Sequence, residues 1–209
     1  MGTRATRHVT GSSRPFAVAD LTGHATDVAP RLLNALLVVG DRAIRIVEVE
    51  AYGSGDDAAS HAHRGLRPRT VVMFGPPGRL YTYVSYGMHV CCNVVTSPDG
   101  EGGAVLIRAG VPVSGIEAMR RDRPRARRDI DLTNGPGKLT AALGITMDDQ
   151  GTDLTDPAST VQLRRDAMAP PPAPVISTRI GISVAVDHPW RFTVAGNEWV
   201  SHPRPAGRS

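Results

Sequence analysis

Residues Leu80-Tyr81-Thr82-Tyr83-Val84-Ser85 and His89-Val90-Cys91-Cys92-Asn93-Val94-Val95-Thr96 form two strand-like runs separated by a few residues. Aromatic and β-branched residues favour strands, and the break at Tyr86-Gly87 predicts the turn of a hairpin. Strands joined this closely can only pair antiparallel, since parallel neighbours need a long crossover. Residues 43–52 and 103–109 read as further strands, with 180–186 and 191–194 as late ones. Spaced apolar residues predict a helix over 27–37, with Thr26 or Asp27 as its cap. Residues 115–121 and 137–143 also look helical. Hairpin-connected strands flanked by helices predict an α+β fold around an antiparallel sheet.

All four tyrosines fall between residues 52 and 86. A chain poor in rings would be expected to spread them through its core, where each buries a large apolar area. Here they lie close in sequence to Ile46-Val47-Glu48-Val49-Glu50-Ala51-Tyr52. A period of two puts Ile44, Ile46, Glu48, Glu50 and Tyr52 on one face of that strand. Tyr81 and Tyr83 share a direction on theirs, and Tyr86 sits at the hairpin tip. Rings grouped beside a carboxylate suggest a stacking pocket built around an acid or base. In a chain of net charge +4 the natural flat ligand is a nucleobase, although such a charge also suits proteins with no nucleic-acid partner.

The length of 209 residues suits one domain with a substantial core. Residues 14–202 are expected to form it, with flexible segments at 1–13 and 203–209. The run Ala169-Pro170-Pro171-Pro172-Ala173-Pro174 excludes helix and central strand, because proline lacks a backbone donor and fixes φ. It reads as an extended surface loop. Arg120, Arg121, Arg123, Arg125, Arg127 and Arg128 crowd one short stretch, either a solvated helix end or a face for polyanions. Cys91 and Cys92 are adjacent and make no disulfide framework. With neither an apolar amino terminus nor a segment long enough to span a bilayer, the expectation is a cytoplasmic protein outside any membrane.

Hydrolysis of an N-glycosidic bond passes through an oxocarbenium-like sugar, which a nearby carboxylate can stabilise while activating water. Glu50 is the candidate; the alternative is a structural ion pair with an arginine such as Arg108. The two are compatible, because an arginine holds a carboxylate ionised. Tyr52 and Tyr83 can offer faces to a base, and His61 a further wall, unless these rings are core residues. Tyr86 at a tip has little core to join and suits a wedge that fills the gap left by a flipped nucleotide. His61-Ala62-His63 and His89-Val90-Cys91-Cys92 lack the paired spacing of a zinc site, so no metal and no cofactor is expected. Asn134-Gly135-Pro136-Gly137-Lys138-Leu139 lacks the spacing of a triphosphate loop but can hold one phosphate through its amides and Lys138.

Taken in order, these segments resemble the alkyladenine (3-methyladenine) DNA glycosylase family. The resemblance runs from about Leu21 to Val200 and includes Met73-Phe74, Pro77-Gly78-Arg79-Leu80, Asn93, Ala104-Val105-Leu106-Ile107-Arg108-Ala109 and Gly135-Pro136-Gly137-Lys138-Leu139. It implies a monomeric, monofunctional glycosylase that flips an alkylated or deaminated purine out of double-stranded DNA and hydrolyses its bond to deoxyribose. The implied fold is one domain with a curved antiparallel sheet, surrounding helices and a protruding, DNA-intercalating hairpin. By motif position Glu50 resembles the carboxylate that activates water, and Arg108 a residue that holds Glu50 and that water. Tyr52, His61 and Tyr83 resemble the base-pocket walls, and Asn93 a floor residue that disfavours guanine. Tyr86 resembles the intercalating residue, and Lys138 with Gly137 a phosphate contact.

A glycosylase that also cuts the strand normally uses an amine to form a Schiff base, and Lys138 is the only lysine. Water is the better nucleophile. Two other functions compete with the enzyme: a noncatalytic nucleic-acid-binding module that keeps the pocket, and a hydrolase of free nucleosides or RNA. Glu50, Arg108 and His61 together weigh against the first, and an exposed Tyr86 against the second.

Overall fold

A computed structural model describes residues 13–202 of the chain. The segments expected to be flexible, 1–13 and 203–209, lie outside the described residues except for Ser13, whose Oγ accepts from Arg164 Nε at 2.9 Å. The amino-terminal half holds β1 (Arg14–Pro15), α1 (Val18–Leu21), α2 (Ala25–Leu32), β2 (Leu36–Val39) and β3 (Arg42–Tyr52). The hairpin strands β4 (Leu80–Ser85) and β5 (His89–Val95) follow, then β6 (Ala104–Ser114). The remainder supplies α3 (Ile116–Asp122), α4 (Pro136–Leu143), β7 (Val161–Arg165), β8 (Val175–Ser177) and β9 (Arg191–Thr193).

These strands build one curled antiparallel sheet in the order β1-β7-β2-β3-β6-β5-β4, with β9 also paired to β3 and β8 to β9. The single domain is therefore α+β with few helices, as expected. One face of the sheet carries the core. Leu80, Cys92, Val94, Val105 and Ile107 pack there with Val28, Ala29 and Leu32 of α2 and Leu139, Ala142 and Leu143 of α4. Burying each such leucine or isoleucine contributes roughly 1.5–3 kcal/mol. The residues between them in sequence point to the other face, which is where the candidate site lies.

Three expectations need correction. The helix predicted over residues 27–37 starts at Ala25, capped by His24 Nδ1 accepting from the Thr26 N–H at 3.4 Å rather than by Thr26 or Asp27. It stops at Leu32, where Pro30 lies in the last turn and Asn34 adopts φ 65°. Leu36 and Leu37 fit the helical spacing, yet they belong to β2, sandwiched between β3 and β7. An apolar run buried between two strands cannot be told from a helical stripe by spacing alone.

The second correction concerns β3. Ile44 and Ile46 do not share the face of Glu48, Glu50 and Tyr52: the core holds Ile44 and Ile46, then Val49 and Ala51. The alternation breaks at a bulge, where the pairing steps from Ile46↔Gly110 to Glu48↔Ala109 and then to Val49↔Ile107. Val47 on one strand and Arg108 on the other are the extra residues, and each extra residue resets which face its successors occupy. The bulge falls where β3 exchanges its other neighbour, pairing β2 through Arg42–Arg45 and β9 through Glu48–Glu50.

Third, residues 180–186 are not a strand but part of an irregular segment between β8 and β9. The proline run is non-helical and leads into β8.

Candidate active site

A cleft of about 1090 Å³ lies on the sheet face opposite the core. Its walls include Tyr52 from β3, Tyr81 and Tyr83 from β4, Cys91 and Asn93 from β5, and Leu106 and Arg108 from β6. These are the residues that alternate with the core set, so sheet periodicity, reset by the bulge in β3 and β6, brings them to one surface. His61 comes from the 3-10 turn His61–Arg64, while Gly137 and Lys138 come from the first turn of α4.

Glu50 is completely buried, one side chain behind this wall. Its Oε2 accepts from the Tyr52 hydroxyl at 2.9 Å and from Arg108 Nη1 at 3.1 Å. Its Oε1 accepts from the Ile180 N–H at 2.7 Å. A carboxylate has about four acceptor sites, so three donors leave one on Oε1 for a further hydrogen. Burial, then the Glu50 carboxylate, pushes the Tyr52 phenol far above its ordinary value, and it remains a donor.

Arg108 joins two carboxylates. Its Nε donates to Glu48 Oε1 at 3.3 Å as its Nη1 reaches Glu50. Burial alone would weaken its charge, but Glu50 and Glu48 outweigh that and raise its pKa. Glu48, also fully buried, accepts from Arg191 Nε at 2.7 Å, the Ser201 N–H at 2.6 Å and Ser201 Oγ at 2.9 Å. Two acids and two arginines thus balance in charge beneath the cleft.

The aromatic wall is a packed set. Tyr81 and Tyr83 stack at 6.0 Å between centroids, and His61 meets Tyr83 edge-on at 4.6 Å. His61 Nδ1 lies 2.9 Å from the Tyr81 hydroxyl. Burial, and then Arg69, lowers the His61 pKa and keeps the ring neutral near pH 7. Burial raises the Tyr81 and Tyr83 phenols, so they too stay protonated. Asn93 is buried between Tyr81 and Leu106 in register, its Nδ2 donating to the Tyr81 carbonyl oxygen at 3.0 Å.

Tyr86 is 83% exposed, as is expected of a residue at the tip of the β4–β5 turn. It holds φ 49° and Gly87 φ 69°, with the Met88 N–H donating to the Ser85 carbonyl oxygen at 3.2 Å. Glycine adopts such a conformation freely, whereas tyrosine is strained there. Lys138 Nζ donates to Asn134 Oδ1 at 2.7 Å. Gly137 has a packing reason of its own: a Cβ there would stand 2.7 Å from His89 Cβ, so α4 approaches β5 only with glycine at that place. Of the arginine stretch, Arg123 lines the cleft, while Arg120 and Arg128 pair with Asp129 and Asp131.

The structure therefore brings Tyr52, His61, Tyr83, Tyr86, Asn93, Arg108, Gly137 and Lys138 around one cleft with Glu50 behind it. Sequence reasoning missed Glu48, Tyr81, Ser201, Arg191 and the Ile180 N–H. Glu48 was visible as a second acid on the strand face of Glu50, and Tyr81 as the neighbour of Tyr83. A backbone N–H leaves no mark in residue type. Among the described residues no group of three or more His, Cys, Asp or Glu is placed to hold a metal ion, and no helix is long and apolar enough to cross a membrane.

Comparison with known proteins gives this arrangement a family. The family described as Methylpurine-DNA glycosylase (MPG) matches residues 19–198. A protein of Burkholderia lata is 52% identical over 180 residues, covering 86% of this chain and 87% of its own. One from Nocardia farcinica is 48% identical over 201 residues, covering 92% and 93%, and one from Mycobacterium bovis 47% over 189 residues, covering 87% and 90%. The names of all three place them among 3-methyladenine DNA glycosylases. A family match across nearly the whole described chain and half-identical relatives of equal extent lead to one conclusion: this protein belongs to the methylpurine-DNA glycosylase family.

Proposed function

We propose that this protein, a DNA glycosylase by family, takes a damaged purine out of duplex DNA into the cleft and hydrolyses its N-glycosidic bond with water activated by Glu50. The observation that carries the reading is the setting of Glu50. A buried carboxylate held by three donors, with one acceptor site left, suits a group that orients a water and accepts its proton. Arg108 holds that carboxylate in place, and a carboxylate there favours the oxocarbenium-like sugar as the bond breaks.

Tyr52, Tyr83 and His61 supply ring surface for the extruded base, and an electron-poor alkylated purine stacks well on them. In the tautomer of neutral His61 whose Nδ1 accepts from the Tyr81 hydroxyl, the proton sits on Nε2 and can be donated to the base. Asn93 shapes the floor and disfavours guanine by obstructing its exocyclic amine. Tyr86 fills the gap left in the duplex, and Gly137 and Lys138 hold a backbone phosphate. Water rather than a lysine is the nucleophile, which makes the product an abasic site in an unbroken strand. The lesion class comprises 3-methyladenine-type bases, with hypoxanthine and ethenoadenine as further members. The protein acts as a monomer.

The test is single-turnover excision on labelled duplexes carrying one such lesion, native protein against Glu50→Gln, developed with and without hot alkali. Alkali-dependent breaks made by the native protein alone are expected. Breaks without alkali would refute the monofunctional mechanism, and unchanged excision by Glu50→Gln would remove Glu50 from it. Tight duplex binding with no excision of any lesion would return the noncatalytic binding module.

A further inference from the structure

Arg179 and Asp57 take no part in the reading above, yet both side chains are completely buried against the site. Their groups meet as a fork, Nη1 to Oδ2 at 2.6 Å and Nη2 to Oδ1 at 2.7 Å. Nη1 also donates to the carbonyl oxygen of Ala51, next to Tyr52, at 2.9 Å, and Nη2 to that of Ala185 at 3.4 Å. Asp57 in turn accepts from the N–H groups of Gly53 at 3.0 Å and Ala59 at 3.1 Å. The guanidinium carbon stands 4.7 Å from the centroid of the Tyr52 ring and 5.1 Å from that of Trp190. The residue after Arg179 is Ile180, whose N–H donates to Glu50.

One ion pair thus ties together the end of β3, the loop 53–59 that leads to His61, and the segment that carries Ile180. Stability is a weak reason for it, because desolvating two charges offsets most of their attraction. Arg179 Nε, buried without a partner, adds a further cost. What a planar fork provides is position: it admits one geometry, where a point charge would admit many. Fixing the Arg179 backbone fixes the Ile180 N–H one peptide on, and the flat guanidinium sets the tilt of Tyr52.

We propose that Arg179, locked by Asp57, is a positioning residue for base excision, holding the Ile180 N–H on Glu50 and Tyr52 at the angle that both its bond to Glu50 and the base stack require. This rests on the roles proposed above for Glu50 and Tyr52.

The experiment uses the full chain with Arg179→Lys and the double variant Arg179→Met/Asp57→Asn, the latter because it leaves no uncompensated buried charge. Active sites are titrated with a duplex carrying a tetrahydrofuran abasic-site analogue, and single-turnover excision of ethenoadenine and hypoxanthine is expressed per active site. A purely structural pair would lower the active fraction and leave the rate per site alone. The expected result is analogue binding within about threefold of native and an excision constant lowered about 10- to 100-fold per site, the scale of a small misplacement of reacting groups. Lysine should recover little of it, since an ammonium neutralises Asp57 with neither fork nor flat face. A constant within twofold of native in either variant overturns the proposal, and so does failure of both to fold, which would assign the pair to the fold alone. Native protein and Glu50→Gln run alongside: native inactivity would defeat the glycosylase reading itself, whereas a normal native-to-Gln contrast with unaffected Arg179 variants defeats only this inference.

Discussion

Replacing Arg108 with methionine removes the one cation in contact with Glu50 among the described residues and leaves its neighbour largely provided for. Glu48 keeps Arg191 at 2.7 Å and both donors of Ser201. Glu50 keeps only two neutral donors, the Tyr52 hydroxyl and the Ile180 N–H. The N–O separation of 3.1 Å corresponds to an attraction of about 5 kcal/mol at an effective dielectric constant of about 20. Breaking a buried pair by deleting one partner typically costs about 3–5 kcal/mol, so the two figures agree. Most of that loss should disappear when Glu50 is already glutamine, because no buried charge is then stranded. Urea denaturation at pH 7 of the native protein, Arg108→Met, Glu50→Gln and the double variant measures the coupling, with m-values compared to check two-state behaviour. The double variant should be more stable than the sum of the single effects by about 2–4 kcal/mol, the greater part of that loss. Additivity within about 0.5 kcal/mol would refute the view that Arg108 chiefly compensates Glu50.

Asp57 supplies a pH test with a definite sign. Burial would raise its carboxyl, but Arg179 and the Gly53 and Ala59 amides outweigh burial and hold it below the usual carboxylate range when folded. Its contribution is therefore complete above the unfolded value of about 3.9 and lost as pH falls through the folded one. The stability gap between native protein and Asp57→Asn should stay constant from pH 7 to 5 and narrow below about pH 4; a gap independent of pH would contradict this. Tyr86→Gly relieves a left-handed φ of 49° and should leave stability unchanged or higher by up to about 1 kcal/mol. It should weaken duplex binding about tenfold, the worth of one lost stack, and unchanged affinity would exclude the wedge. Lys138→Ala should reduce the slope of log affinity against log salt by about 0.9, as for one phosphate contact. An unaltered slope would remove Lys138 from the phosphate site.

What the amino-acid sequence determined by itself is what depends on near neighbours. The turn at Tyr86-Gly87, the strands on either side of it, and the shared face of Glu48, Glu50 and Tyr52 follow from local stereochemistry over a few residues. The order of the motifs carried the family. Tertiary structure decided the rest, because the deciding partner is remote in each case. Leu36–Val39 became a strand only because β3 and β7 flank it, and the bulge that turns Ile44 and Ile46 away from Glu50 lies where β3 passes from β2 to β9. The contacts that surround Glu50 show the same limit: one donor is a backbone N–H from 130 residues away. The fork beside it joins residues 122 apart. No residue type announces a backbone amide, and no local pattern tells which arginine will meet which acid once the chain has closed around them.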